Sequence, residues 1–284
     1  MKAKFRQYWS LIKSLQTALL LTTGISGFMS ARCPVLNIPL LLGVTISLFL
    51  AISGSTVLNM WYDRDIDAKM NRTCWRPLPS GDISAREAFI FGLLLSILGV
   101  GLGLMINALF GAIVFAGLFF DVVVYTIWLK RRTAWATVWG GISGGMPVLA
   151  GRVAGAGEIE WVGIALALAI IFWIPTHTLT FSMKYNDDYR FAGLPTFQSS
   201  YGLETTRKML ALSSILAALS MVVSAIGIGI SIGFLRLIGI LSVGLLILAV
   251  RSYIRPSKKL NFRLFKYASL YMLGTMLLIA FDGI

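Results

Sequence analysis

The sequence predicts an all-α polytopic membrane protein with about nine transmembrane helices, and three observations carry that prediction. The 284 residues are 57% hydrophobic and only 13% charged, with mean hydropathy +0.81, whereas a soluble domain carries roughly 25% charged residues. Apolar stretches near the length that crosses a bilayer recur along the whole chain, and the alternating segments of a β-barrel are absent. Basic residues fall in every second loop, as the positive-inside rule requires.

The expected spans run 11–31, 37–60, 84–105, 107–128, 135–154, 161–183, 207–229, 231–250 and 261–282. No small-residue cleavage site ends the first apolar run, so no cleavable signal is expected. With the N-terminus cytoplasmic, the loops on that side are 61–83, 129–134, 184–206 and 251–260. They collect Arg64, Lys69, Arg72 and Arg76, then Lys130, Arg131 and Arg132, then Lys184 and Arg190, then Arg251, Arg255, Lys258 and Lys259. The opposite loops are short and poor in cations. The net charge of +13 is therefore topological, and a nucleic-acid partner is not expected. The tightest junction lies around residues 231–234. Cys33 and Cys74 match no disulfide framework and no metal-ligand spacing.

The second span ends in NMWYDRDIDAKMNRTCWRPLPSG. Asn59, Asp63 and Asp67 stand at i, i+4 and i+8, which keeps them on one face of a helix, about 6 Å apart along the axis. Such a row of oxygen donors can hold a hard divalent cation, which commonly meets protein through carboxylates plus substrate phosphates. Arg72 and Arg76 follow at one-turn spacing and suit phosphate oxygens. The plain alternative is a solvated charged loop. Four spans later the chain reads NDDYRFAGLPTF, so that Asp187 and Asp188 lie at the same membrane level. Two facing carboxylate clusters would bind a magnesium diphosphate. Lys130, Lys184 and Arg190 are candidate counter-ions. The plain alternative is pairing of Asp187 and Asp188 with neighbouring cations.

Ionisable groups inside spans are costly and usually face a cavity. Lys13 is expected either to snorkel or to serve the site. Asp121, with Tyr125 one turn on, is expected either to line a cavity or to be a neutral or paired structural carboxyl. Arg152 is expected to snorkel outward. His177 is the only histidine and is either a packing residue or a haem or metal ligand. Gly140, Gly141, Gly144 and Gly145 are expected to allow close helix approach, the commoner reason for such glycines, or to leave room for a bulky ligand.

The NxxxDxxxD motif of Asn59, Asp63 and Asp67 resembles that of the UbiA-type intramembrane prenyltransferases. Three stretches resemble the protoheme IX farnesyltransferase (haem O synthase) branch: NMWYDRDIDAKMNRTCWRPLPSG, YTIWLKRRTAWATVWGGISGGMPVLAG and NDDYRFAGLPTF. The chain departs from that branch at Lys13–Gln16, at 144–152 and at Thr196–Gln198. The resemblance implies one transmembrane prenyltransferase domain over 1–284, in the cell membrane, with nine helices around a central cavity and both aspartate motifs cytoplasmic. It implies Mg²⁺-dependent transfer of a farnesyl group from farnesyl diphosphate to a vinyl group of haem B. Asn59, Asp63 and Asp67 would then hold Mg²⁺–diphosphate, with Asp187 and Asp188 as the second metal group. Arg72, Arg76 and Lys130 would hold the diphosphate, and His177 would contact haem. The rival reading keeps the chemistry but changes the acceptor, to a quinone-ring precursor or an isoprenoid glycerol phosphate lipid. A transporter is disfavoured because its binding groups lie near the bilayer midplane, whereas these clusters lie at one interface.

Overall fold

The computed structural model describes residues 2–32 and 37–283; Cys33 lies outside them. All regular structure among these residues is helical. A short amphipathic helix, α1 (Lys2–Leu11), precedes α2 (Ser14–Met29), and Lys13 between them adopts the left-handed conformation at φ 44°. Then come α3 (Ile38–Tyr62), the one-turn α4 (Arg64–Asp67), α5 (Ala85–Ile106) and α6 (Ala108–Phe119). The last continues directly as a π-helical segment, Phe120–Leu129. The remainder is α7 (Ala136–Ala156), α8 (Trp161–Lys184), the short α9 (Asn186–Phe191), α10 (Phe197–Ile228), α11 (Ile232–Ile254) and α12 (Lys258–Asp282).

Helix starts follow the capping chemistry of the sequence. The Ser84 hydroxyl accepts from Glu87 N–H and the Glu87 carboxylate accepts from Ser84 N–H, a reciprocal box that opens α5. Asn107 turns α5 into α6 in a single residue, its side chain accepting from the N–H groups of Leu109 and Phe110. Gly229, at φ 73°, closes α10 and lets α11 begin three residues later, which is the tight junction expected there. Helix α10 starts ten residues before its expected span, because Thr196 and Ser199 cap it and Gly202 absorbs a kink at φ 80°.

A helix stands at each of the nine expected spans. Seven are long and apolar enough to cross a membrane by themselves: α3, α5, the continuous run Ala108–Leu129, α8, α10, α11 and α12. The other two are α2, only 16 residues long, and the glycine-rich α7 that carries Arg152. These two pack on one another. A Cβ at Gly27 would lie 2.1 Å from the Val148 carbonyl oxygen, and one at Gly151 only 1.9 Å from that of Gly24. Backbones meet there without intervening side chains, the small-residue contact that joins membrane helices. Helix α7 meets α8 in the same way, where a Cβ at Gly145 would stand 2.9 Å from the Ala167 carbonyl oxygen.

The chain forms a multi-pass helical membrane protein. Helix α3 packs on α5 as α8 packs on α10, and α12 closes the circuit by packing against α2 and α8. At the end away from the aspartates, Arg152 is buried rather than snorkelling outward. It pairs with Glu160 at 2.7 Å and donates to the Ser30 carbonyl at 2.5 Å. With donors satisfied inside the bundle, the guanidinium has no need to reach the interface.

Candidate active site

The helices enclose a cavity of about 730 Å³ bordered by α2, α3, α6, the π segment, α7, α8 and α12. Its polar end is built on the α3–α4 junction. Helix α3 stops at Tyr62, yet Asp63 N–H still bonds Asn59 O at 3.0 Å, and Asp67 N–H bonds Asp63 O at 2.8 Å. The one-turn α4 thus preserves the i, i+4, i+8 register. Asn59, Asp63 and Asp67 all border the cavity, and the two carboxylates are only 3% and 6% exposed. A solvated loop is ruled out.

Each buried carboxylate has a cation. Lys130 Nζ pairs with Asp63 Oδ2. Arg76 Nη1 donates to Asp67 Oδ2 at 2.8 Å, and Thr73 ties the following loop down through the Asp67 carbonyl at 2.9 Å. Burial works against the Lys130 ammonium, but the Tyr125 oxygen and the Asp63 carboxylate outweigh it and raise its pKa above the ordinary lysine value, so it stays protonated. Asp63 Oδ1 is buried with no hydrogen-bond partner among the described residues; Arg131 Nη2 stands 4.0 Å away, beyond hydrogen-bond reach, so the oxygen keeps accepting capacity.

Asn59 is oriented by a residue that the sequence pattern does not flag. The Thr126 hydroxyl donates its single proton to the Asp121 carbonyl at 2.7 Å. It must therefore accept from Asn59 Nδ2, 2.7 Å away. That bond turns the Asn59 amide nitrogen toward Thr126 and leaves Oδ1 unengaged by it.

Tyr125 and Lys130 also border the cavity. Gly140 makes room for the tyrosine, since a Cβ there would stand 2.6 Å from its ring. Arg72 lies at the cavity, its guanidinium 4.9 Å over the Phe181 ring and 5.4 Å over Tyr185; its Nε is buried without a partner. Lys13 also borders the cavity, at the α1–α2 turn, so it is turned inward and does not snorkel. His177 is on the wall as well. Its ring stacks between Trp173 and Phe265, with centroids 5.0 and 4.7 Å away, and its Nδ1 lies 3.2 Å from Ser269 Oγ.

The second cluster is placed differently. Asp187 is exposed and Asp188 half-buried on α9, and neither borders the cavity. From that segment it is Tyr189, Leu194, Pro195 and Thr196 that reach the wall. Among the described residues no group of three or more acidic, histidine or cysteine side chains is gathered closely enough to hold a metal. The expected facing of two carboxylate clusters is therefore not brought together, because a short surface helix carries the second pair. Lys184 is likewise off the cavity. It is exposed at the end of α8, with its ammonium over the rings of Phe262 and Tyr185 at 4.1 and 4.9 Å.

The chemistry of the site is thus a row of hard oxygen donors, two buried carboxylates and the half-buried Asn59, flanked by Arg72, Arg76 and Lys130 at one end of a largely apolar cavity. The donor set fits a hard divalent cation such as Mg²⁺. The model of the UbiA prenyltransferase family matches residues 19–272. A protoheme IX farnesyltransferase of Korarchaeum cryptofilum is 40% identical over 283 residues, covering 100% of this chain and 96% of that protein. One from Azorhizobium caulinodans is 38% identical over 255 residues, covering 88% and 81%. Among solved structures, one of digeranylgeranylglyceryl phosphate synthase superposes with TM-score 0.83 at 23% identity, covering 100% of this chain and 99% of that one. A UbiA homologue from Archaeoglobus fulgidus bound to DMAPP and Mg²⁺ superposes with TM-score 0.70 at 18% identity, covering 96% and 99%.

Proposed function

The chain belongs to the UbiA prenyltransferase family, and from that premise we propose that it transfers a farnesyl group from farnesyl diphosphate to a vinyl carbon of haem B, giving haem O. The observation that carries the diphosphate end is the buried pair Asp63 and Asp67, in register with Asn59 and held beside Arg76 and Lys130. The haem acceptor is supported by near-full-length likeness to protoheme IX farnesyltransferases. Prenyl transfer to an isoprenoid glycerol phosphate lipid or a quinone-ring precursor is the alternative; the likeness to the digeranylgeranylglyceryl phosphate synthase structure speaks for the shared fold alone.

Asn59 Oδ1 and the Asp63 and Asp67 carboxylates would hold Mg²⁺. Bound there, the metal would neutralise charge on the departing diphosphate. Arg72, Arg76 and Lys130 would take up the phosphate oxygens as the C–O bond breaks, stabilising charge where it develops. Asp187 and Asp188 would supply the second metal group from α9, next to the wall residue Tyr189. Lys184 would serve the diphosphate only from outside the cavity. The apolar walls limit the access of water to the allylic cation, and Tyr125 borders the same cavity. His177, held between two aromatic rings, presents its remaining ring edge to the acceptor haem. We place the aspartate end and the N-terminus on the cytoplasmic side of the cell membrane, because the basic loops gather there.

The test is reconstitution. Purified protein in lipid vesicles with Mg²⁺, farnesyl diphosphate and haem B should give a farnesylated haem detectable by mass spectrometry. Farnesyl transfer to a quinone-ring precursor or a glycerol phosphate lipid, with none to haem, would overturn the acceptor assignment.

A further inference from the structure

Three carboxylates border the cavity among the described residues: Asp63, Asp67 and Asp121. The first two are ion-paired. Asp121 has no cation within ion-pairing distance; its side-chain partners are the hydroxyls of Ser55 and Ser143. Ser55 donates to Oδ2. Ser143 lies 3.4 Å from Oδ1 and has a closer acceptor in Gly140 O at 2.7 Å. A hydroxyl has one proton, so Oδ1 is left weakly engaged at the cavity wall.

Its position is set by the π segment. Lys130 N–H bonds Tyr125 O, a five-residue turn, at 2.8 Å. In an α-helix Lys130 would stand about 140° around the axis from Tyr125. The wider turn brings Asp121, Tyr125 and Lys130 to one wall, and such π segments are frequent at functional sites. Ser55 precedes Asp63 by two turns of α3, about 12 Å. Asp121 therefore lies deeper than the Asp63–Lys130 pair, on the side toward which the prenyl chain of a diphosphate held there must run.

We propose that Asp121 is the proton acceptor that completes the transfer. The proposal rests on the alkene acceptor argued above. Attack of an alkene on the allylic carbon forms a C–C bond and leaves positive charge on the neighbouring acceptor carbon. A water molecule quenches it: a C–O bond forms, one O–H bond of that water breaks, and the proton passes to Asp121 Oδ1. The product is an alcohol, with no oxidant or reductant required. Ser55, donating to Oδ2, holds the carboxylate in place, and Thr126 fixes its backbone. Asp63 and Asp67 are taken up by Lys130 and Arg76, and His177, a further base on the wall, is stacked between two rings with Nδ1 against Ser269.

The experiment measures released diphosphate and hydroxylated haem product together, in vesicles with Mg²⁺, farnesyl diphosphate and haem B. In Asp121→Asn the alcohol formed per diphosphate released should fall about 100-fold, with alkene or farnesol appearing instead, and Asp121→Glu should restore part of the ratio. An Asn variant with the wild-type ratio overturns the proposal, as does diversion of product by His177→Gln but not by Asp121→Asn. Parallel loss of both readouts without rescue by Glu also overturns it, by making the residue structural. The wild-type protein separates the two readings: absence of any haem product is a failure of the acceptor assignment, whereas normal wild-type product with an unaltered Asn variant is a failure of the Asp121 role alone.

Discussion

The two aspartate groups look alike in the sequence, each closing a long apolar helix, yet the fold treats them in opposite ways. Asp63 and Asp67 continue the register of α3, so the helix itself delivers them to the cavity, and Lys130 and Arg76 offset the cost of burying them. Asp187 and Asp188 follow a break at Tyr185, on a six-residue helix, and stay outside the wall. A helix fixes the direction of every side chain it carries, whereas a broken end leaves that direction to the loop.

The largest expected effect tests the first group. Asp63→Asn or Asp67→Asn should each lower haem farnesylation about 10²–10³-fold, with protein still recovered as a monodisperse peak from detergent. Removing Mg²⁺ with a chelator should abolish turnover, and adding it back should restore it. A chelated protein that still turns over would mean that the buried pair binds no metal. Asp188→Asn sharpens the contrast. If the second group ligates a metal during turnover, the Mg²⁺ concentration for half-maximal rate should rise about tenfold; an unchanged requirement would confine the metal site to α3 and α4. Thr126→Val should cost about 1 kcal/mol by freeing the Asn59 amide, seen as a roughly fivefold rise in the same Mg²⁺ requirement. The smallest effect belongs to Arg131→Ala. Its bond to Asp65 lowers that carboxyl below the ordinary range, but Asp65 is 55% exposed. Thermal stability should change by no more than about 1 kcal/mol, and activity should hardly change.

Much of this is legible in the sequence. Hydropathy places a helix at each expected span to within a few residues, except at α10, where a cap and a glycine kink extend the helix beyond its apolar run. The four-residue spacing of Asn59, Asp63 and Asp67 puts them on a shared face. Less legible are the lone ionisable residues. Lys13 and Arg152 both have the stems to snorkel, yet both turn inward, Lys13 to the cavity and Arg152 to Glu160 and Ser30. Thr126, Ser55 and Ser143 carry no signal of their own, since a hydroxyl in a helix usually bonds its own backbone.

By itself the sequence determined the class of the protein, the places of its helices and the stripe of oxygen donors, because these depend on periodicity and composition within one segment. Tertiary structure alone decided which cations meet which carboxylates. It also decided that α9 holds its aspartates off the cavity, and that a π segment brings Asp121, Tyr125 and Lys130 to one wall. Several of those outcomes depend on contacts between segments 66 or more residues apart, such as Asp63 with Lys130 and Asp121 with Ser55; even Arg76 with Asp67, nine residues apart, depends on how the loop folds back, and the π segment on a helical turn whose width no local pattern announces.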